Sequence, residues 1–468
     1  MGGEWRPGAA GLFAVENPSD RSIIASVSNC GPSDATHAVD AACSAFNLWR
    51  RLSPRNRGEI LRSAYELIIR ETDSLADLIS AENGKSLADS RGEVAYAAEF
   101  FRWYAEEAVR TRGDYGPAPT GDSRSIVTHR PVGVAALITP WNFPAAMVAR
   151  KIAPALAAGC TVVLKPAAET PLTALALAQL LAQAGVPAGV VNVVPTTDAE
   201  GIATRLLSDS RVKKLSFTGS TRVGSILLRQ AADRIVNSSM ELGGNAPFVV
   251  ADDADLESAV AGAMIAKFRN GGQACTAANR FYVHASISEE FVWQFGNAIE
   301  RLTVGDARTG AAIGPMISRN AVTRLEEVVV EAVTAGAKIT HQARVPICDG
   351  YFYPPTLLTR VAPEASILQH ELFGPVAPVV TWSDDTELVE LINGTDMGLA
   401  SYIYTADLQR ALRLGEVTEA GMVGINRGLV SDPSAPFGGM KQSGLGREGA
   451  RHGLEEFQET QYLSVAWP

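Results

Sequence analysis

From residue 132 onward the chain alternates short, wholly apolar runs with segments long enough to be helices. Val134-Ala-Ala-Leu-Ile138, Thr161-Val-Val-Leu164, Val190-Val-Asn-Val-Val194 and Lys214-Leu-Ser-Phe217 are strand-length, 235–240 is a further strand, and 143–158, 172–184, 199–207 and 220–231 predict helices between them. A strand that is apolar on both faces has to be covered on both, and strands joined through helices run parallel. This pattern predicts an α/β fold with a doubly wound, dinucleotide-type domain.

A second series starts after Glu241. Strands are expected at 246–250, 281–284, 354–358, 376–380 and 400–404, with helices at 256–269, 289–302 and 320–335. Ahead of residue 132, helices are expected at 34–49 behind Ser33, over 57–83 as a pair ended by Asn83-Gly84, and at 87–109. The aromatic stripe Tyr96, Phe100, Phe101, Trp103 and Tyr104 on that last helix reads as core packing. Gly113, Gly116, Pro117, Pro119 and Gly121 mark 112–122 as a connector. The alternating stretch 123–130 and the C-terminal stretch 457–467 read as outlying strands that pair outside their own domain.

Composition narrows the class of function. A formal charge of −10 without a basic stripe argues against nucleic acid as a partner. The five cysteines, Cys30, Cys43, Cys160, Cys275 and Cys348, form no C-x-x-C pair, so neither a zinc site nor a disulfide framework is expected, and a reducing compartment fits. The first twenty residues carry Glu4, Arg6, Glu16 and Asp20 and lack the apolar core of a secretory signal. The apolar stretches 152–164 and 172–194 are too short, or too interrupted by Gln179, Gln183 and Pro187, to span a bilayer. The expectation is a cytoplasmic protein with no membrane partner.

Three stretches carry reactive chemistry. Lys267-Phe-Arg-Asn-Gly-Gly-Gln-Ala-Cys275 sets a thiol after two glycines, Glu241-Leu-Gly-Gly-Asn245 offers a carboxylate, and Pro140-Trp-Asn-Phe-Pro144 offers an amide. Each residue also has an ordinary reading: Cys275 as a small buried hydrophobe, Asn142 as a helix cap, Glu241 as a solvated strand end. In Leu215-Ser-Phe-Thr-Gly219-Ser-Thr-Arg-Val-Gly224 a glycine lies where a strand meets a helix, whose first N–H groups suit a phosphate. Lys165-Pro166 closes another strand of the same sheet, at the end where dinucleotides bind.

Taken in order, Pro140-Trp-Asn-Phe-Pro, Phe217-Thr-Gly-Ser-Thr, Glu241-Leu-Gly-Gly-Asn-Ala-Pro, Gly272-Gln-Ala-Cys, Glu371-Leu-Phe-Gly-Pro and Pro436-Phe-Gly-Gly-Met-Lys-Gln-Ser-Gly-Leu-Gly-Arg-Glu resemble the aldehyde dehydrogenase superfamily over nearly the whole chain. Lys267-Phe-Arg-Asn and Val423-Gly-Ile-Asn-Arg-Gly-Leu-Val-Ser431 are similar to succinate-semialdehyde dehydrogenases. The resemblance implies a dinucleotide-binding domain over 1–241 with 118–131 as an oligomerisation strand, a catalytic domain over 242–433, and a C-terminal return and oligomerisation segment over 434–468. It implies a homodimer or homotetramer.

It also implies roles. Cys275 attacks the aldehyde as thiolate, Asn142 and the Cys275 N–H hold the oxyanion, and Glu241 activates water. NAD or NADP meets Trp141, Lys165, Ala168, Gly219, Ser220, Leu242, Glu371 and Phe373, with Lys165 and Glu371 on the riboses. At Ala168 a glutamate in relatives repels a 2′-phosphate and a serine or threonine accommodates it; alanine does neither, which leaves NAD and NADP both open, use of both being one hypothesis. Arg150, Arg269 and Ser431 match positions that bind a distal carboxylate, although either arginine would serve equally as an ion-pair partner. Arg427 departs from the pattern and either adds charge near the pocket or pairs with Asp432. Ala277 stands where some relatives carry a second cysteine, so no redox disulfide is expected there, and no metal is expected. The implied reaction is succinate semialdehyde to succinate; the alternatives are a glutarate or aryl-substituted semialdehyde, or a non-catalytic crystallin-like relative. A CoA-acylating relative is disfavoured by Glu241.

Overall fold

In the computed structural model, which describes residues 1–467, the apolar runs separate into two large sheets. The first has, in spatial order, Gly444–Leu445, Asn237–Glu241, Val212–Thr218, Val134–Ile138, Thr161–Lys165 and Val191–Val193. Its neighbours are parallel except for Gly444–Leu445, which runs antiparallel to Asn237–Glu241. The chain builds outward from Val134–Ile138 on one side, then returns to place Val212–Thr218 on the other. The strand order therefore reverses at Val134–Ile138, and such a switch point leaves a crevice at the carboxyl ends of the strands. The Pro140 turn and Gly219 both follow strands at that switch point.

The second sheet has seven strands in the order Lys338–Gln342, Thr356–Thr359, Val376–Trp382, Ala278–His284, Ala246–Val250, Ala400–Tyr404 and Met422–Ile425. Only the first of these is antiparallel to its neighbour. Its core is aromatic, with the Phe248 ring 5.0 Å from Tyr404 and 5.2 Å from Phe281. These rings share one face of the sheet, and Val249, Tyr282 and Ile403 bury the other.

Several expectations need correction. The first long helix is Pro32–Arg51 and its N-cap is Gly31, not Ser33; Asp34 closes that end by accepting from Gly31 N at 2.9 Å. The expected connector contains a strand, Tyr115–Pro117, and the two outlying strands pair with each other, Ser123–Pro131 lying antiparallel between it and Gln458–Ala466. The hairpin Leu12–Glu16 with Ile23–Ser28, the edge strands Lys338–Gln342 and Met422–Ile425, and the helices Asp385–Asn393 and Leu408–Val417 carried too little pattern to be read. Among the described residues no helix is long and apolar enough to cross a membrane.

Candidate active site

The Pro140–Pro144 turn presents Asn142 between a strand and the helix Ala146–Ala158. That helix is capped at Ala145, so Asn142 is not its cap. Instead the Asn142 amide Nδ2 donates to the carbonyl of Gln273, 3.1 Å away, two residues before Cys275. The Asn142 side chain is buried and its Oδ1 has no protein partner. The turn's carbonyls are anchored twice each. Trp141 O accepts from Asn83 Nδ2 (3.1 Å) and Thr170 Oγ1 (3.2 Å), and Asn142 O accepts from Lys85 Nζ (2.7 Å) and Asn270 Nδ2 (2.9 Å).

The thiol reaches the same place from the other sheet. Asn270, Gly271 and Gly272 all take left-handed backbone, with φ of 51°, 59° and 76°, which folds the chain back on itself ahead of Cys275. Gly272 is required for a second reason, since a Cβ there would lie 2.3 Å from the Gly374 carbonyl. Burial pushes the Cys275 thiol up to about 12, with Arg150 pulling it the other way.

Glu241 ends its strand, and Gly244, three residues on, packs against the Cys275 carbonyl. Both Glu241 carboxylate oxygens are buried and have no hydrogen-bond partner among the described residues. Burial, and then the neighbouring Glu448, hold its carboxyl well above the usual carboxylate range, so the expected solvated strand end is corrected to a desolvated acid. Glu448 is itself ion-paired with Arg150 Nε at 2.7 Å and Lys151 Nζ at 2.6 Å; these two cations keep it below its ordinary value in spite of burial. Neither Glu448 nor Lys151 was singled out from sequence, although Glu448 closes the Gly-Leu-Gly-Arg-Glu motif.

A cavity of about 230 Å³ opens at Cys275 and is walled by Phe143, Met147, Leu429 and Phe437. Arg150, Arg269 and Ser431 all line it, as the resemblance implied. Of the two readings of Arg150 the ion pair is present: it pairs with Glu448, stacks 3.7 Å over the Phe437 ring, and has a buried Nη2 without a hydrogen-bond partner among the described residues. Arg269 makes no ion pair among the described residues, and its guanidinium lies 5.1 Å from the Phe143 ring. Arg427 is exposed and is not part of the wall; its charge is felt instead at Asp432. The core-packing expectation holds for Phe100, Phe101 and Tyr104, and Tyr96 and Trp103 pack against the same core; Tyr96, with its ring 5.0 Å from Phe100, also lines the cavity.

On the opposite side, the positions expected to meet the cofactor are knitted together. Lys165 ends its strand with a buried side chain, and burial lowers its ammonium. Ala168 follows it, half-buried, ahead of Thr170, which holds Trp141. Gly219 N donates to the Glu241 carbonyl, and Ser220 caps Thr221–Ala232 by accepting from Val223 N at 3.4 Å. Leu242 packs against Gly224 of that helix, where a Cβ would lie 2.5 Å from it. Glu371 accepts from Gly244 N at 3.2 Å, and burial pushes its carboxyl up to about 7. Phe373, at φ 50°, meets the edge of Trp141 with ring centroids 5.4 Å apart.

A doubly wound sheet whose switch point faces a second α/β sheet defines an α/β oxidoreductase of the dinucleotide-dependent class. The chain belongs to the aldehyde dehydrogenase family, whose model matches residues 5–463. It is 50% identical to a succinate-semialdehyde dehydrogenase of Paenarthrobacter nicotinovorans, over 95% of this chain and 99% of that protein. It is 46% identical to a glutarate-semialdehyde dehydrogenase of Pseudomonas putida, over 100% of this chain and 97% of that protein. Among solved structures, a succinate-semialdehyde dehydrogenase from Burkholderia pseudomallei superposes with a TM-score of 0.98 at 45% identity, over 100% of this chain and 97% of that one.

Proposed function

We propose that this protein oxidises an aldehyde bearing a distal carboxylate, succinate semialdehyde first, to the corresponding acid. The observation that carries the reading is the pair of arginines in the cavity at Cys275, one of them without an ion-pair partner among the described residues. A guanidinium fork matches a carboxylate in two parallel hydrogen bonds. Ser431 adds a hydroxyl, and the cavity volume suits a chain of four or five carbons. Glutarate semialdehyde is the second reading, favoured by the similarity to a glutarate-semialdehyde dehydrogenase.

In this reading the Cys275 thiol, on the cavity wall, gives its proton to solvent, and Sγ bonds to the aldehyde carbon while the carbonyl pair moves to oxygen, where the Asn142 amide and the Cys275 N–H receive it. When bound, NAD or NADP would supply the acceptor for the hydride on that carbon. Glu241 then takes a proton from the water that cleaves the thioester, releasing the acid and the thiol. The residues present fit such a cofactor: Lys165 brings an ammonium with no carboxylate partner among the described residues, Gly243 leaves room for Glu371, and a twelve-residue helix starts at Thr221. Ala168 offers neither a carboxylate to repel a 2′-phosphate nor a hydroxyl to hold one, and we propose use of both cofactors.

A panel of aldehydes tests the substrate. Arg269→Met is expected to lower kcat/KM for succinate semialdehyde about 100-fold, the loss of about 2–3 kcal/mol of charge-assisted hydrogen bonding. Butanal, which lacks the carboxylate, should lose no more than about twofold. An equal loss on both aldehydes, or none on either, removes the case for a carboxylate site.

The resting thiol gives a second test. Because burial raises it to about 12, alkylation of Cys275 by iodoacetamide should accelerate steadily with pH, with no plateau below about pH 10. A plateau near neutrality would mean a preformed thiolate. For the assembly, we propose a cytoplasmic homodimer or homotetramer joined through the three-stranded sheet. Gln458–Ala466 is its outer strand, with Tyr462, Leu463 and Val465 exposed on it. The domain division at 241/242 and 433/434 remains part of this reading; its support is the change of sheet between Glu241 and Ala246.

A further inference from the structure

The two groups that would receive the oxyanion belong to different sheets. Asn142 follows Val134–Ile138 of the six-stranded sheet, and Cys275 precedes Ala278–His284 of the seven-stranded one. Residues 83–93, which belong to neither sheet, touch the turn that follows Val134–Ile138 and the loop that precedes Ala278–His284. They end the helix Thr72–Asn83 and begin the helix Leu87–Glu107.

Four side chains of this stretch, Asn83, Lys85, Asp89 and Glu93, fasten different parts of the site. Asn83 holds the Trp141 carbonyl at 3.1 Å and Lys85 Nζ holds the Asn142 carbonyl at 2.7 Å. Glu93 takes the Lys85 ammonium on one oxygen; on the other it accepts Ala145 N at 2.8 Å and Ala146 N at 3.1 Å, where the helix after Asn142 begins. Asp89 accepts Asn270 N at 2.8 Å, at the left-handed start of the Cys275 loop. Asn270 closes the circuit by donating to both the Asn142 and Gln273 carbonyls, at 2.9 and 3.2 Å.

The Lys85 and Glu93 side chains are wholly shielded from solvent. Desolvating two charges is costly, and apolar side chains of the same volume would pack as well without that cost. What an apolar pair lacks is a cation to grip a peptide carbonyl and an anion to cap a helix. With its carbonyl gripped by Lys85, the Asn142 peptide plane is fixed, and from that fixed backbone the side-chain amide is held by its own bond to the Gln273 carbonyl.

We propose that Lys85 is a positioning residue for aldehyde oxidation: with Glu93 and Asp89 it sets the Asn142 amide and the Cys275 loop at one fixed separation across the two sheets. The inference rests on Asn142 being an oxyanion donor. A misplacement of about 1 Å at such a donor is enough to cost about 100-fold in rate.

The test compares Lys85→Met, Asn142→Ala and the double variant in the full-length protein. Lys85→Met should lower kcat about 30- to 100-fold while the aldehyde KM and the cofactor Kd stay within about threefold. Alkylation of Cys275 by iodoacetamide, a displacement that builds no oxyanion, should also stay within about threefold of wild type. The double variant should be no slower than Asn142→Ala by more than about threefold, because Lys85 acts through Asn142. A folded Lys85→Met with unchanged kcat, a loss confined to KM, or losses that multiply in the double variant each overturn the inference. Full activity in Asn142→Ala would instead remove the oxyanion reading beneath it. Should Lys85→Met fail to fold, Asp89→Ala is expected to lower kcat about tenfold with the same unchanged alkylation, and an unchanged kcat there overturns the inference equally.

Discussion

Cys275→Ala is expected to reduce aldehyde oxidation by a factor of about 10⁴ or more, to the limit of detection, with either cofactor. The reason is stoichiometric: without sulfur there is no covalent adduct, and the neighbours Ala274, Thr276 and Ala277 bring at most one unactivated hydroxyl. The loss should be specific to chemistry. Cys275 lies on the wall of a cavity, so removing its sulfur enlarges open space and leaves the packed interior alone; the stability change should stay near about 1 kcal/mol. Circular dichroism, thermal unfolding and cofactor titration check this alongside the rate. Retention of even a few per cent of the rate would rule out the covalent route, and a wild-type protein with no activity would favour the crystallin-like alternative.

Glu241→Gln is the second large effect. The amide has nearly the shape of the acid but cannot take a proton from water, so steady-state turnover should fall by about 10² to 10⁴. Adduct formation and hydride loss precede that water, and rapid mixing should therefore show a burst of reduced cofactor comparable to the enzyme present, followed by a slow phase. The pH dependence should change too. In the wild type Glu241 must be ionised to act, and burial together with Glu448 raises its carboxyl well above the usual range; activity therefore climbs as pH rises through that raised value. Glutamine has no proton to lose, so this limb should vanish from the slow phase. Loss of the burst along with the turnover would place Glu241 before hydride transfer, as the base for the thiol, and would sink its assignment to hydrolysis.

Much of the fold was legible because the informative patterns are local. Runs such as Val134-Ala-Ala-Leu-Ile138 and Ala246-Pro-Phe-Val-Val250 are apolar on both faces, and burial of both faces is what each shows. Lys338–Gln342, by contrast, is mostly exposed and earns its strand from pairing with Thr356–Thr359, a partner that its own residues do not specify. Tyr115–Pro117 was hidden among glycines and prolines for the same reason. Gly31 displaced Ser33 as the first helix's cap because Pro32 is well placed at a first helical position and Asp34 reaches back to the Gly31 N–H.

The order of residues by itself determined the helix-strand alternation, the doubly wound class it implies, and which thiol, amide and carboxylate were candidates, since side-chain type and short-range spacing suffice for those. Only the tertiary structure decided what each one does there. Asn142 looked like a cap and instead bonds a carbonyl 131 residues away, while Arg150 lines the cavity and is also committed to Glu448. The Lys151–Glu448 contact spans 297 residues. Proton affinity and donor direction depend on the dielectric and charges within a few ångströms, and those neighbours are assembled by folding from stretches that share no local pattern.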